Sequence, residues 1–163
     1  MKIYSLLLLA LFISAPAMAA ERGPITAPES PVEVTSQQME ADQQSGKVLF
    51  SGNVVGKQGN MTIYADTLTL FFVELEGGRK IDHLEAEGSV RVVDGDRVAT
   101  AQKLVYSQAT EQMTLKGEVE IHQAGNLVAG DEIVLYILED RSLVKSGKDG
   151  RVKAVFLPPQ EKE

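Results

Sequence analysis

Gly88-Ser89-Val90-Arg91-Val92-Val93-Asp94-Gly95-Asp96-Arg97-Val98-Ala99-Thr100-Ala101-Gln102-Lys103-Leu104 reads as a strand, a turn and a second strand. Val90 and Val92 continue the face begun by Leu84, Ala86 and Gly88, while Ser89 and Arg91 fall on the other. A period of two with one apolar face marks a half-buried strand, and Asp94-Gly95 is a hairpin turn signal. The same unit recurs without gaps over 52–68 and 117–133, each copy placing a glycine fourteen residues before Asp66, Gln102 or Asp131. Copies beginning 36 and 29 residues apart fall in the range of repeat architectures. A partial copy fits upstream, since Met39 precedes Gly52 by thirteen residues as Leu104 precedes Gly117. An insertion at Glu74–Lys80, carrying Gly77-Gly78, explains the longer middle connection.

The other copies behave alike. Val48, Phe50, Gly52, Val54 and Gly56 share one face, as do Met113, Leu115, Gly117, Val119 and Ile121. Gln58-Gly59-Asn60 and Ala124-Gly125-Asn126 supply the remaining turns. The central glycine permits a bend where a long strand must curve. In the second strand the alternation changes phase: Ile63 and Ala65 belong to one run, Leu68 and Leu70 to the next, with Asp66 between them. Gln102 and Asp131 mark the same break. A polar residue there can hydrogen-bond the backbone groups freed by a corner. Asp66 and Asp131 as catalytic carboxylates are the competing reading, and Gln102 in the equivalent place weighs against it, because an amide is neither a general acid nor a general base. No helix is expected in this region. A sheet this long must curl or close over its apolar face, so the class is all-β, built from antiparallel hairpin repeats.

The chain has 163 residues, no cysteine, two histidines and a formal net charge of -7. That length fits one domain. The missing cysteines exclude disulfides, thiolate metal sites and a cysteine nucleophile, and the acidic balance argues against nucleic acid as a partner. At the N-terminus Lys2, the apolar run Leu6–Ile13 and the small-residue pair Ala17/Ala19 form a secretory signal. Cleavage after Ala19 is expected, because the apolar run is well short of the ~20 residues that span a bilayer. The expected organisation is a signal over 1–19, a flexible lead-in over 20–31 with Pro24, Pro28 and Pro31, one domain over 32–157 and a tail over 158–163. The expected compartment is a bacterial periplasm.

Candidates for chemistry are few. His83, Glu85 and Glu87 alternate along one strand face, which reads as a solvated outer face because a lone strand rarely closes a ligand set. His122 faces away from Ile121 without a partner, and the serines sit in turns or outward positions without a base. No catalytic residue, metal site or cofactor is therefore assigned. Charge is more informative. Residues 29–42 contain Glu29, Glu33, Glu40 and Asp42 and no basic side chain, whereas 141–163 carry six basic residues against three acids. Strand-like sequences lie near both ends, at Val32-Glu33-Val34 and Arg151-Val152-Lys153-Ala154-Val155-Phe156. An open sheet with an acidic first edge and a basic last edge can add copies head to tail, backbone hydrogen bonds giving affinity and charge giving polarity. Lysines that merely guard a solvated edge are the competing reading.

The signal, Phe50-Ser51-Gly52-Asn53-Val54, Ala65-Asp66-x-Leu68, Gly130-Asp131-x-Ile133 and the ending Gly147-Lys148-Asp149-Gly150-Arg151-Val152-Lys153-Ala154-Val155-Phe156-Leu157-Pro158 resemble the OstA-like family over about 31–158. The resemblance implies an open, V-shaped β-jelly roll that stacks end to end into a bridge across the periplasm. Lipopolysaccharide would ride with its acyl chains in an apolar groove. Inner-membrane LptC-like and outer-membrane LptD-like proteins would be its partners, and a partner ATPase would supply energy. Inward Val, Leu, Ile and Phe side chains can solvate hydrocarbon, and each buried CH2 is worth ~0.8 kcal/mol. Unloading then depends on hand-over to an equivalent groove rather than escape to water. The expected groove residues are Phe50, Val54, Ile63, Leu68, Leu84, Val90, Leu104, Leu115, Val119 and Ile133. The expected edge-pairing residues are Val32 and Val34 at one end, and Arg151, Val152, Lys153, Val155 and Phe156 at the other. Two alternatives remain: a β-repeat module binding another amphiphile or a glycan without bridging, and a carbohydrate-active enzyme, which would need clustered acids.

Overall fold

A computed structural model describes residues 30–147 and 150–158. The expected signal lies outside them, as do the lead-in before Ser30 and the tail after Pro158. Among the described residues ten strands form: β1 (Glu33–Thr35), β2 (Gln38–Asp42), β3 (Lys47–Gln58), β4 (Met61–Leu75), β5 (Gly78–Asp94), β6 (Arg97–Ser107), β7 (Gln112–Gln123), β8 (Asn126–Tyr136), β9 (Arg141–Lys145) and β10 (Lys153–Val155). Each of β3 to β8 pairs antiparallel with the next. β1 and β2 both add to β3, and β9 and β10 both add to β8, so the sheet is unclosed with an edge at either end. Turns at Gly59, Gly95 and Gly125 join the hairpins where the sequence placed them. The 74–80 insertion is not a loop, because Val73 pairs with Lys80 and Leu75 with Gly78, which lengthens the β4–β5 hairpin.

Every long strand turns a corner along one line. Between the pairs Ser51/Thr67 and Val55/Tyr64, β3 advances four residues and β4 three. The same alternation continues through β5 to β8, with four steps in β5 and β7 and three in β6 and β8. Three is odd, so the inward face changes parity in β4, β6 and β8, which is the phase break at Asp66, Gln102 and Asp131. In the four-step strands Gly52, Gly88 and Gly117 have φ of 79–80°, and Asn53, Ser89 and Glu118 follow at 45–47°. Two successive left-handed residues swing the strand, and the first must be glycine because a neighbour occupies the Cβ position. That neighbour is Gln37 at Gly52, Asp66 at Gly88 and Gln102 at Gly117. Asp131 does the same for the last strand, accepting from the Gly147 N–H. At Gln102 the partner is a side chain instead, Nε2 donating to Glu118 Oε2 at 3.2 Å. The upstream partial copy is real in this sense: β1 and β2 are one strand broken at Ser36-Gln37, where the Gln37 N–H donates to the Gly52 carbonyl at 3.0 Å.

The corners divide the sheet into two legs. The upper leg contains β1, β10 and the halves of β3–β8 next to the Gly59, Gly95 and Gly125 turns; the lower leg contains β2, β9 and the other halves. One core cluster combines Ile63, Ala65, Val92, Ala99 and Val119 from the upper leg with Ala86, Leu104, Met113, Leu115 and Ile133 from the lower. The legs therefore close on each other as a V, matching the expected open jelly roll. A second cluster, Val54, Leu68 and Leu70, fills the V near the first edge. Among the described residues no polar or charged side chain is buried.

Candidate functional site

All ten expected groove residues point between the legs. Val54, Ile63, Leu68, Val90, Leu104, Leu115, Val119 and Ile133 are buried, none more than 5 % exposed. Phe50 and Leu84 are half-buried and pack against the second cluster. The open space lies farther from the corners. A cleft of about 360 Å³ at the β9 end has walls that include Met61, Val92, Ile121, Val128, Leu135 and Val144. Asp94, Arg97, Gln123, Asp140 and Arg141 line the same cleft. A far smaller cavity of about 30 Å³ sits at the first edge between Val32, Val34, Gly56, Leu70 and Leu84. Met61 lines both. Ile133 faces the larger space, and Ile63, Leu68 and Leu84 the smaller. Sequence reasoning missed Met61, Ile121, Val128, Leu135 and Val144. It favoured residues flanking the corner glycines, and the corner is the vertex of the V, where the legs are closest.

The two edges differ in charge on both legs. The first edge presents Glu33 on β1 and Glu40 and Asp42 on β2, while the last presents Lys153 on β10 and Arg141 and Lys145 on β9. β10 is only three residues long and holds to β8 through Lys153/Ala129, Ala154/Val128 and Val155/Leu127. The Leu157 N–H, donating to Asn126 Oδ1 at 2.9 Å, ties its end. Val152, Val155 and Phe156 are exposed, Phe156 by 71 %. Arg151 is exposed beside them. Val32 is exposed and Val34 half-buried against the second cluster.

The outer face carries ion pairs. Lys103 Nζ donates to Glu87 at 2.8 Å and to Glu85 at 3.0 Å. His83 stacks on Phe71 at 4.0 Å and lies 2.6 Å from Asp82. Among the described residues no three His, Cys, Asp or Glu side chains are placed to hold a metal. Asp66 and Asp131 sit at separate corners on β4 and β8, four strands apart, so they form no carboxylate pair. Glu132 accepts from Lys145 at 2.7 Å and lies 3.5 Å from Lys116. Lys145, with help from Lys116, holds its carboxyl below the usual 4.5. A depressed carboxyl pKa stabilises the fold above the unfolded value, and that contribution is lost as pH falls through the folded one. Glu132→Gln should therefore cost at most ~1 kcal/mol at neutral pH, as part-exposed pairs do. Its thermal melt should converge with the wild type's in acid; a gap that persists there would show that packing, not charge, was lost.

Residues 33–141 match the family model described as LptA/(LptD N-terminal domain) LPS transport protein. The chain is 26 % identical over 140 residues to the lipopolysaccharide export system protein LptA of Escherichia coli K12, covering 81 % of this chain and 74 % of the relative. It is 26 % identical over 141 residues to LptA of Haemophilus influenzae, covering 80 % and 78 %. Its fold superposes on crystalline LptH of Pseudomonas aeruginosa, the LptA-homologous periplasmic component of that organism's lipopolysaccharide transport device. The TM-score is 0.68 at 20 % identity, over 79 % of this chain and 96 % of the other.

Proposed function

The chain belongs to the LptA/(LptD N-terminal domain) LPS transport protein family, and we propose that it carries lipopolysaccharide through the periplasm as one link of a bridge between the inner and outer membranes. Acyl chains ride between the legs, and links join head to tail through the sheet edges. The observation that carries this reading is an apolar interior with a cavity at either edge: Val32 and Val34 border one, Val144 the other. Edge-to-edge addition would place one copy's interior against the next, so that a chain passes between like surfaces. Its transfer free energy then stays near zero, whereas release to water would cost ~0.8 kcal/mol for every CH2 exposed. The ends of the bridge are an inner-membrane LptC-like and an outer-membrane LptD-like protein. The chain itself supplies no chemical energy, and a partner ATPase drives the flow. The ten groove residues and seven edge residues named from the sequence keep those roles here. The wall of Val, Ile, Leu and Met favours hydrocarbon over a glycan, which needs polar partners.

Depletion of the protein should make newly synthesised lipopolysaccharide accumulate at the inner membrane. A photo-crosslinking residue at Leu115, paired with the cleft-lining Ile133, should capture lipopolysaccharide in intact cells. Capture of a neutral glycan instead, with lipopolysaccharide delivery unchanged on depletion, would overturn the proposal in favour of a non-bridging module.

A further inference from the structure

The two cavities are unequal, and the inequality has a consequence for how lipid is seated. The first-edge cavity, about 30 Å³, has room for about one water. The last-edge cleft, about 360 Å³, is at the lower end of the ~300–1,000 Å³ that ligand pockets span. Its walls come from both legs: Val92, Ile121 and Val128 above, Met113, Leu135 and Val144 below. At its rim Arg141 is already engaged, its guanidinium 3.8 Å from the Tyr136 ring and its Nε donating to Glu139 at 2.9 Å. Arg97 is not: its Nε donates to the neutral Gln123 Oε1 at 3.2 Å, and among the described residues no carboxylate lies within 4.0 Å of it.

We propose that the last-edge cleft is the resident lipid site, taking a single hydrocarbon chain between Val128 and Val144 with the anionic group of the amphiphile at Arg97. The first-edge half stays packed by Leu68, Leu70 and Leu84 and holds none at rest. This rests on the proposed lipopolysaccharide-carrying function and adds to it which half of the V is loaded and by how much. Size sets the stoichiometry, because the cleft is too small for several chains side by side. Charge sets the orientation, since a guanidinium pairs strongly with carboxylate or phosphate oxygens.

The test uses the full mature chain and cis-parinaric acid, a single-chain fatty acid that fluoresces in apolar surroundings, with lipopolysaccharide as competitor. One probe should bind per chain and be displaced by lipopolysaccharide. Val128→Trp and Val144→Trp, which fill the cleft from opposite legs, should each weaken it by about tenfold or more. Val48→Trp, in the first-edge half, should leave it unchanged. Arg97→Gln should weaken the fatty acid but not its uncharged methyl ester. Because a filled variant can misfold, a photo-crosslinking residue is placed at 144 or at 48 in an otherwise unaltered chain, and with the purified chain lipopolysaccharide should be captured at 144 only. Equal capture at both positions, or equal loss in Val48→Trp and Val128→Trp, overturns the site while leaving the transport function standing. Failure of the unaltered chain to bind either probe or lipopolysaccharide overturns both.

Discussion

Gly88→Val is expected to destabilise the protein by roughly 3–5 kcal/mol, far more than an ordinary surface substitution. Gly88 has a φ of +79°, and a Cβ built there runs into the Asp66 side chain from the neighbouring strand. A left-handed conformation costs a non-glycine residue ~1–3 kcal/mol, more when it is β-branched. The overlap adds to that, because the Asp66 Cβ itself lies 2.8 Å from the built position and moves only with the β4 backbone. A total of roughly 3–5 kcal/mol is a large share of the ~5–15 kcal/mol that holds a domain folded. A pair of milder variants separates the two causes. Gly95 also has a positive φ, +59°, with nothing within 4 Å of its Cβ position. In urea unfolding Gly95→Ala should cost about 1 kcal/mol, and Gly88→Ala clearly more. Adding Asp66→Ala to Gly88→Ala should recover part of the difference, a coupling that a double-mutant cycle reads directly. Equal costs at positions 88 and 95 would mean that the corner is not interlocked in this way.

That ladder of corners is also where sequence and structure meet most closely. Repetition of Gly-x-Val with a polar residue fourteen positions on carried both halves of the motif. The phase break carried the odd step count that makes a V instead of a flat sheet. The partners were less legible, since Gln37 over Gly52 pairs residues fifteen apart whose relation depends on how far the first strand is displaced. The terminal corner was harder still. From Lys145/Glu132 to Lys153/Ala129 the last strand takes eight steps where β3, β5 and β7 take four, so a gap-free alignment could not show Gly147 on Asp131. The interior posed a different problem. Alternation tells which side of a strand faces inward, but not how far apart two legs stand at a given height. Leu104 and Leu115 therefore look the same in the sequence as Ile121 and Val128, although the first two are fully buried in the vertex and the last two border the cleft. Charge polarity was legible as composition at the chain ends, because the ends of an open sheet are its edges.

Charge reversal at Arg151 and Lys153 is expected to weaken self-association by roughly a hundredfold. On the proposed edge pairing, mature protein forms linear oligomers that lengthen with concentration and shorten with salt, as exposed charges are screened beyond a Debye length of about 8 Å at physiological ionic strength. The lower leg contributes less steering than its composition suggests. Arg141 is paired with Glu139 and Lys145 with Glu132 within the chain. Arg151 and Lys153 have no such partner among the described residues, so in the proposed joint the upper leg would carry the free positive charge that meets Glu33 of the next copy. Arg151→Glu with Lys153→Glu should weaken association by roughly a hundredfold in analytical ultracentrifugation, since like charges across an interface cost several kcal/mol. Phe156→Asp should act with similar strength by another route, placing a carboxylate where an exposed ring would otherwise be covered. The decisive arm is complementation. A chain carrying Glu33→Lys should not join the wild-type last edge but should join the charge-reversed one, giving alternating mixed oligomers that neither variant forms alone. A wild-type chain that stays monomeric at high concentration, or charge-reversed edges that associate as well as the original, would make the basic edge a guard against pairing rather than a joint. The groove would then have to hand its cargo on without strand addition.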